Sequence, residues 1–250
     1  MAIFVRERLS ETAWTSPTAF TLDGLHFELI DWDVDYQGDA YPIIKGREYL
    51  EAYREVLASA SVERVMELGI RLGGSSVFFN TLLKPRRMVS IDITRPVRRL
   101  EQYRASHAAA ATLATYYRTS QDDEAALNSI LEREMDGPLD LVLDDASHFY
   151  EQTKASFEIL FPKLRPGGLY VVEDWSWAHI RGFGAWREQP ALSNLIFQLM
   201  MIAAGRPELI AQVTVFPGLA VVRKGSTQPS AERLDLTKLC WMQNRTFHLL

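Results

Sequence analysis

The stretch Arg64-Val65-Met66-Glu67-Leu68-Gly69-Ile70-Arg71-Leu72-Gly73-Gly74-Ser75 sets the frame for everything around it. Its first five residues have the length and apolar character of a buried strand. Glycines at 69, 73 and 74 interrupt that run, and Ser75 to Leu83 resumes an apolar pattern at helical spacing. Strand, glycine turn and helix in this order open a parallel α/β unit. Glycine tolerates positive φ and lets a ligand approach the backbone, and the helix start behind it offers N–H groups without intrahelical partners. The loop lacks the Lys-Ser/Thr ending of a P-loop and does not fit Gly-x-Gly-x-x-Gly. Taken alone, it is explained equally well as a tight strand-to-helix connection.

Downstream the alternation continues. Arg87 to Ile91 reads as a second strand, Pro96 to Ala111 as a helix, Ala114 to Arg118 as a strand and Asp123 to Glu134 as a helix. Leu139 to Leu143 is a buried strand, Tyr150 to Phe161 a helix and Leu169 to Val172 a strand. A long apolar helix, Ala191 to Ala203, precedes two strands in Ala211 to Arg223 that turn at Pro217-Gly218. Its apolar residues Leu195, Leu199, Met200 and Ile202 suit either the core or a subunit interface. The fold class is therefore α/β: a mainly parallel sheet with helices on both faces and a C-terminal antiparallel hairpin. Upstream, Gly46 to Ala60 reads as a helix with Tyr49, Leu50, Tyr53, Val56 and Leu57 at helical spacing. Residues 1–45 read as an irregular N-terminal segment or lid, 46–225 as the main domain, and 226–250 as a tail of no legible role.

The bulk properties fit one such domain. The chain has 250 residues, 47% hydrophobic, enough to bury a core without staples. The single cysteine, Cys240, has no partner within the chain for a disulfide, which favours a reducing, cytoplasmic setting. A net charge of −5 argues against nucleic acid, and the basic groups Lys84 to Arg87 and Arg95 to Arg99 read as solvated surface. No signal peptide is expected from Met1 to Arg8, and the longest apolar run, Leu199 to Ala204, is too short to cross a bilayer.

Strand ends carry the chemistry in such sheets. The second strand ends in Ser90-Ile91-Asp92, where an acid can accept hydrogen bonds from both ribose hydroxyls of a nucleoside. Glu67, just before the glycine loop, suits a cationic or nucleoside ligand better than a pyrophosphate. After the third strand, Thr119-Ser120-Gln121-Asp122 falls where an adenine edge would be met, although Ser120 or Asp122 as a helix cap explains it equally well.

The fourth and fifth strands end in acid pairs, Asp144-Asp145 and Glu173-Asp174. They lie one βαβ crossover apart, and parallel neighbours are roughly 4.8 Å apart. Carboxylates brought so close repel unless a cation neutralises them, and oxygen donors favour Mg²⁺, Mn²⁺ or Ca²⁺ over zinc. Asp144 either joins this group or points away, to brace the loop or cap the next helix. His148, three residues beyond Asp145, stands at the rim as a candidate general base. Trp175, Trp177, Phe183 and Trp186 follow the fifth strand and suit a substrate lid or a seal on the sheet edge.

Together, Glu67-x-Gly69-x-x-x-Gly73-Gly74-Ser75, Asp92, Asp145-x-Ser147-His148, Pro166-Gly167-Gly168 and Glu173-Asp174 resemble the macrocin O-methyltransferase family over roughly residues 60–225. The resemblance implies a Rossmann-like class I methyltransferase fold with a seven-stranded sheet. It implies an S-adenosylmethionine pocket lined by Glu67, Gly69 and Ser75, with Asp92 on the ribose. Arg71 and Gly73 share that loop, and Gln121, Asp122 and Asp144 complete the expected cofactor side. It further implies Mg²⁺ (or Mn²⁺) on Asp145, Glu173 and Asp174, with His148 and Asp145 as the catalytic residues. The implied acceptor is a hydroxyl on a deoxysugar of a natural product such as an antibiotic, and the expected assembly is a homo-oligomer. Two departures stand out: Thr119-Ser120-Gln121 replaces an expected Gly-Asp-Ser, and the large N-terminal domain of some members is missing. The rival expectations are a catechol-type enzyme acting on an aromatic diol and an S-adenosylmethionine-binding relative that transfers no methyl group.

Overall fold

The computed structural model describes residues 12–58, 60–180, 189–229, 232–240, 242–243, 245 and 247–250. It divides into two compact units, Met1–Arg118 and Thr119–Leu250.

The first unit opens with a four-stranded sheet where the sequence suggested irregular chain: β1 (Ala13–Trp14), β2 (Ala19–Leu22), β3 (Leu25–Leu29) and β4 (Tyr41–Ile43). The β2–β3 hairpin turns on Asp23 and Gly24, both at positive φ (51° and 78°), which is what a two-residue turn of type I′ requires. Alternation then buries Phe20 and Leu22 on one strand and Phe27 and Leu29 on the other. Phe20 stacks on Phe27 at 5.2 Å, and both meet the edge of Phe78 at 5.8 Å.

Next come α1 (Arg47–Leu57), β5 (Arg64–Leu68), α2 (Gly74–Leu83), β6 (Arg87–Asp92), α3 (Arg98–Ser106) and β7 (Leu113–Tyr117). Phe78 lies on α2, a helix buried almost all round. The helix starts in the only way the packing allows. A Cβ at Gly74 would sit 1.8 Å from the Pro42 carbonyl oxygen of β4, so the helix start and that strand touch backbone to backbone. The helix expected from Pro96 to Ala111 breaks at His107, and a 3₁₀ turn, Ala108–Thr112, leads into β7.

The second unit contains α4 (Glu124–Glu134), β8 (Leu139–Asp144), α5 (Tyr150–Leu160), β9 (Leu164–Glu173), α6 (Ser193–Gly205), β10 (Ile210–Val215), β11 (Leu219–Lys224) and the short α7 (Leu236–Leu239). The fifth of these strands in chain order beyond the small sheet, β9, begins earlier than its apolar core suggests. It runs through Pro166-Gly167-Gly168, where the pairing with β8 shifts register. On α6, Leu195, Leu199 and Ile202 are buried, whereas Phe197 and Met200 are exposed. The tail is held by charge: Arg233 reaches Glu124 at 2.8 Å and Glu158 at 3.0 Å, and Glu158 also accepts from the Leu236 N–H.

Strands β5 to β11 form one seven-stranded sheet in the order β10-β11-β9-β8-β5-β6-β7. The pairs β5–β6, β6–β7 and β8–β9 are parallel, and the hairpin β10–β11 lies antiparallel against β9. No helix among the described residues is long and apolar enough to cross a membrane.

Candidate functional site

In the first unit, the end of β5 and the glycine loop form one hydrogen-bonded block. Register places Glu67 of β5 opposite Ser90 of β6. The buried Glu67 carboxylate accepts from Ser75 Oγ at 2.8 Å, Ser76 Oγ at 2.5 Å and Ser90 Oγ at 2.5 Å. Burial pushes its pKa up, against the pull of the three hydroxyls and of the Lys45 charge. Gly69, Arg71 and Gly73 all take positive φ, at 97°, 48° and 82°.

Asp92 holds this loop open. Its Oδ2 accepts from the backbone N–H groups of Ile70 at 2.7 Å and Arg71 at 2.8 Å, and its Oδ1 accepts from Thr94 N at 2.8 Å. A carboxylate has about four acceptor positions, so one remains for a ligand donor where the sequence suggested two. Arg71 turns outward and donates to the Trp32 carbonyl at 3.3 Å. Beside Asp92, Ile93 leaves 71% of its surface in solvent, an exposed apolar side chain that the strand-end reading passed over.

In the second unit, the loop between β8 and α5 and the residue after β9 form the other half of the candidate set. Asp145, His148 and Asp174 each offer a ligand atom, and those atoms lie within 4.8 Å of one another. His148 Nε2 is 3.7 Å from both Asp145 Oδ1 and Asp174 Oδ2. All three side chains are half-buried. His148 and Asp174 both adopt φ near +57°, a backbone state that costs a non-glycine residue about 1 kcal/mol or more. Two such residues in one three-residue cluster mark a place where the surroundings dictate geometry.

The donor set fits a divalent cation: two carboxylates and an imidazole, close enough to share one ion. Glu173 is buried at the end of β9, opposite Leu219, and is outside that gathered trio. The Trp177 ring lies 4.7 Å from the His148 ring. Trp175 instead donates to the Phe216 carbonyl at 3.1 Å and seals the hairpin side. His179 meets Ser193 Oγ at 2.7 Å. Phe183 and Trp186 lie outside the described residues.

Three residues expected on the cofactor side sit differently. Asp122 accepts from Ser120 Oγ at 2.5 Å, and the cap of α4 is its neighbour Asp123, which accepts from Ala126 N. Gln121 and Asp144 are both buried and are bonded to each other. Asp144 therefore takes the second of its two expected courses and braces the loop. Burial lifts its carboxyl to about 6, with Ser156 and Tyr170 donating against that shift.

Residues 66–175 match the family described as a methyltransferase domain. Over 90 residues the chain is 44% identical to demethylmacrocin O-methyltransferase of Streptomyces fradiae, covering 36% of this chain and 22% of that enzyme. Over 128 residues it is 32% identical to 8-demethyl-8-(2-methoxy-alpha-L-rhamnosyl)-tetracenomycin-C 3'-O-methyltransferase of Streptomyces olivaceus, covering 48% and 30%. The solved MycE methyltransferase of mycinamycin biosynthesis, in complex with Mg and SAH, superposes with a TM-score of 0.52 at 29% identity. That superposition covers 71% of this chain and 48% of that one. A putative caffeoyl-CoA O-methyltransferase from Staphylococcus aureus shares the fold, with a TM-score of 0.55 at 18% identity over 73% of this chain and 86% of that one. The chain spans less than a third of these two curated relatives and about half of the solved mycinamycin enzyme. The strand order, the glycine loop after β5 and the matching sequence agree in what residues 66–175 are similar to: a methyltransferase domain.

Proposed function

We propose that the protein is an S-adenosylmethionine-dependent, divalent-metal-dependent O-methyltransferase acting on a sugar hydroxyl of a glycosylated natural product. The observation that carries this reading is the convergence of Asp145, His148 and Asp174 within a methyltransferase domain. One sequence relative is a demethylmacrocin O-methyltransferase, another is a 3'-O-methyltransferase of a rhamnosyl-bearing tetracenomycin C, and one solved relative holds Mg, SAH and mycinamycin VI together.

In this reading the methyl donor rests on the loop of Gly69, Arg71 and Gly73, beside Glu67 and Ser75. Asp92 takes one ribose hydroxyl, and Ile93 offers an apolar face to the base. Asp145 and Asp174 would hold Mg²⁺ or Mn²⁺, and Glu173, expected beside them, lies buried outside the gathered trio. An ion held there would supply Lewis acidity towards a sugar hydroxyl, which is otherwise a poor nucleophile at neutral pH. His148 takes the hydroxyl proton on Nε2 as the acceptor oxygen forms its bond to the methyl carbon and the S–CH₃ bond breaks. The sulfonium becomes a neutral thioether, so no charged product is left on sulfur. Asp145 Oδ1 and Asp174 Oδ2 flank His148, each 3.7 Å from its Nε2. The expected working form is a homo-oligomer, whose contact would cover the exposed Phe197 and Met200 of α6.

The test is labelled methyl transfer to two acceptor panels, glycosylated polyketides with vicinal sugar hydroxyls and simple aromatic diols. Turnover is expected on the first panel, lost completely in EDTA and restored by Mg²⁺. Activity untouched by thorough chelation removes the metal from the scheme. Turnover confined to aromatic diols makes the enzyme catechol-type, and tight cofactor binding without any S-adenosylhomocysteine formed assigns a non-methylating relative.

A further inference from the structure

We propose that Gln121 is a positioning residue for the metal-and-base loop, acting through a buried polar network with Asp144, Ser156 and Tyr170, and that it does not contact the methyl donor. The proposal rests on the metal reading above and adds to it the element that fixes the site's geometry.

The network joins four separate parts of the second unit. Gln121 follows β7, Asp144 ends β8, Ser156 lies on α5 and Tyr170 lies on β9. All four are buried. The two hydrogens of the Gln121 amide are both committed: Nε2 donates to Asp144 Oδ1 at 3.1 Å and to Ser156 Oγ at 3.2 Å. Asp144 Oδ2 in turn accepts from Ser156 Oγ and Tyr170 OH, both at 2.6 Å. Tyr170 reaches it because Asp144 pairs with Val172 in the parallel register, and residues two apart share a face. The amide orientation is thereby set, and its oxygen has one direction left to face.

That oxygen accepts the backbone N–H of Ser147 at 2.9 Å. Ser147 lies between the two members of the cluster contributed by this loop, Asp145 and His148. Its neighbour His148 is held at φ +57°. A left-handed histidine persists only where its surroundings over-determine it. The Gln121 oxygen pins the Ala146–Ser147 peptide, one residue ahead of His148, and Asp144 pins the peptide chain at the loop's other end. Without the first pin, the loop from Asp145 to His148 is released, which moves the Asp145 carboxylate away from Asp174, re-aims the imidazole and loosens the trio. An amide at position 121 is needed because one group must donate to a carboxylate and accept from a peptide N–H. Neither an apolar nor a purely accepting side chain does both.

The experiment measures Mn²⁺ affinity by electron paramagnetic resonance, and S-adenosylhomocysteine affinity by calorimetry, on metal-free protein. Gln121→Met keeps the length and removes the bonds. Its Mn²⁺ Kd is expected to rise about tenfold, the low end of what partners behind metal ligands cost, with S-adenosylhomocysteine affinity within twofold of wild type. The Q121E/D144N double variant reverses the pair, restoring an acceptor for Ser147 and a donor opposite it, and is expected to recover most of the Mn²⁺ affinity. Ser156→Ala and Tyr170→Phe each delete one hydroxyl and serve as a second readout should Gln121→Met fail to fold; each is expected to weaken Mn²⁺ about threefold. An unchanged Mn²⁺ Kd in the folded variants overturns the proposal. A tenfold loss of S-adenosylhomocysteine binding in Gln121→Met also overturns it and returns Gln121 to the donor pocket. Wild-type protein that binds no Mn²⁺ sinks the metal reading itself, which is a different failure.

Discussion

The loop after β5 and the loop after β8 are made from similar residues and put them to opposite uses. At the first, acids serve as internal scaffolding. Glu67 is ringed by three serine hydroxyls, and Asp92 is tied to three backbone N–H groups of the turn it shapes. At the second, one acid of the pair, Asp144, is scaffolding in the same sense, while Asp145 is left to converge with Asp174 on an imidazole. Positive φ follows the same division. Glycines take two of the three such positions after β5, whereas His148 and Asp174 bear the cost themselves. A turn whose task is to let a ligand approach backbone can be made of glycine. A turn whose task is to aim side chains cannot, so strain and function coincide at the second loop.

The sharpest test of that contrast is His148→Ala. A general base contributes about 10²–10⁴-fold, so kcat is expected to fall by that factor while Mn²⁺ affinity stays within a few-fold. If metal binding is lost along with turnover, His148 is a ligand, and the base must be sought elsewhere.

Asp144 offers a pH test of the scaffolding side. Its carboxyl is raised from 3.8 to about 6, so the folded state prefers the neutral acid. Stability from this group is complete below about pH 4 and is lost as pH rises through 6. Asp144→Asn has no proton to lose. In metal-free buffer its stability relative to wild type is expected to improve by up to roughly 3 kcal/mol between pH 4 and pH 8, read from urea midpoints at each pH. A pH-independent difference would mean that Asp144 stays ionised in its pocket.

The smallest expected change is at the first loop. Gly74→Ala drives a Cβ against the Pro42 carbonyl, and overpacking of this kind costs about 1–3 kcal/mol. An unchanged thermal midpoint would show that β4 yields there and that the loop's rigidity comes from elsewhere.

Much of this architecture was legible in residue order. The apolar and helical runs from Arg64 onward located β5 to β11, except for the early start of β9 at Leu164, because buried parallel strands leave compact apolar runs between helices. That Asp145 and Asp174 come together beside His148 was legible for a related reason, since the ends of neighbouring parallel strands must meet, whereas Glu173, expected with them, stays outside the trio. The small N-terminal sheet was not read, since strands of two to five residues carry too little alternation, although Asp23-Gly24 was the available signal for its hairpin.

What residue order alone determined, then, is which side chains arrive at the sheet's edge. Which of them turn inward was decided only by tertiary structure. Gln121 and Asp144 look like ligand contacts along the chain. They become braces because the β8–β9 register delivers Tyr170, and α5 delivers Ser156, to the same buried face. A polar group taken out of water must be paired, and its direction is set by where its partners lie in space.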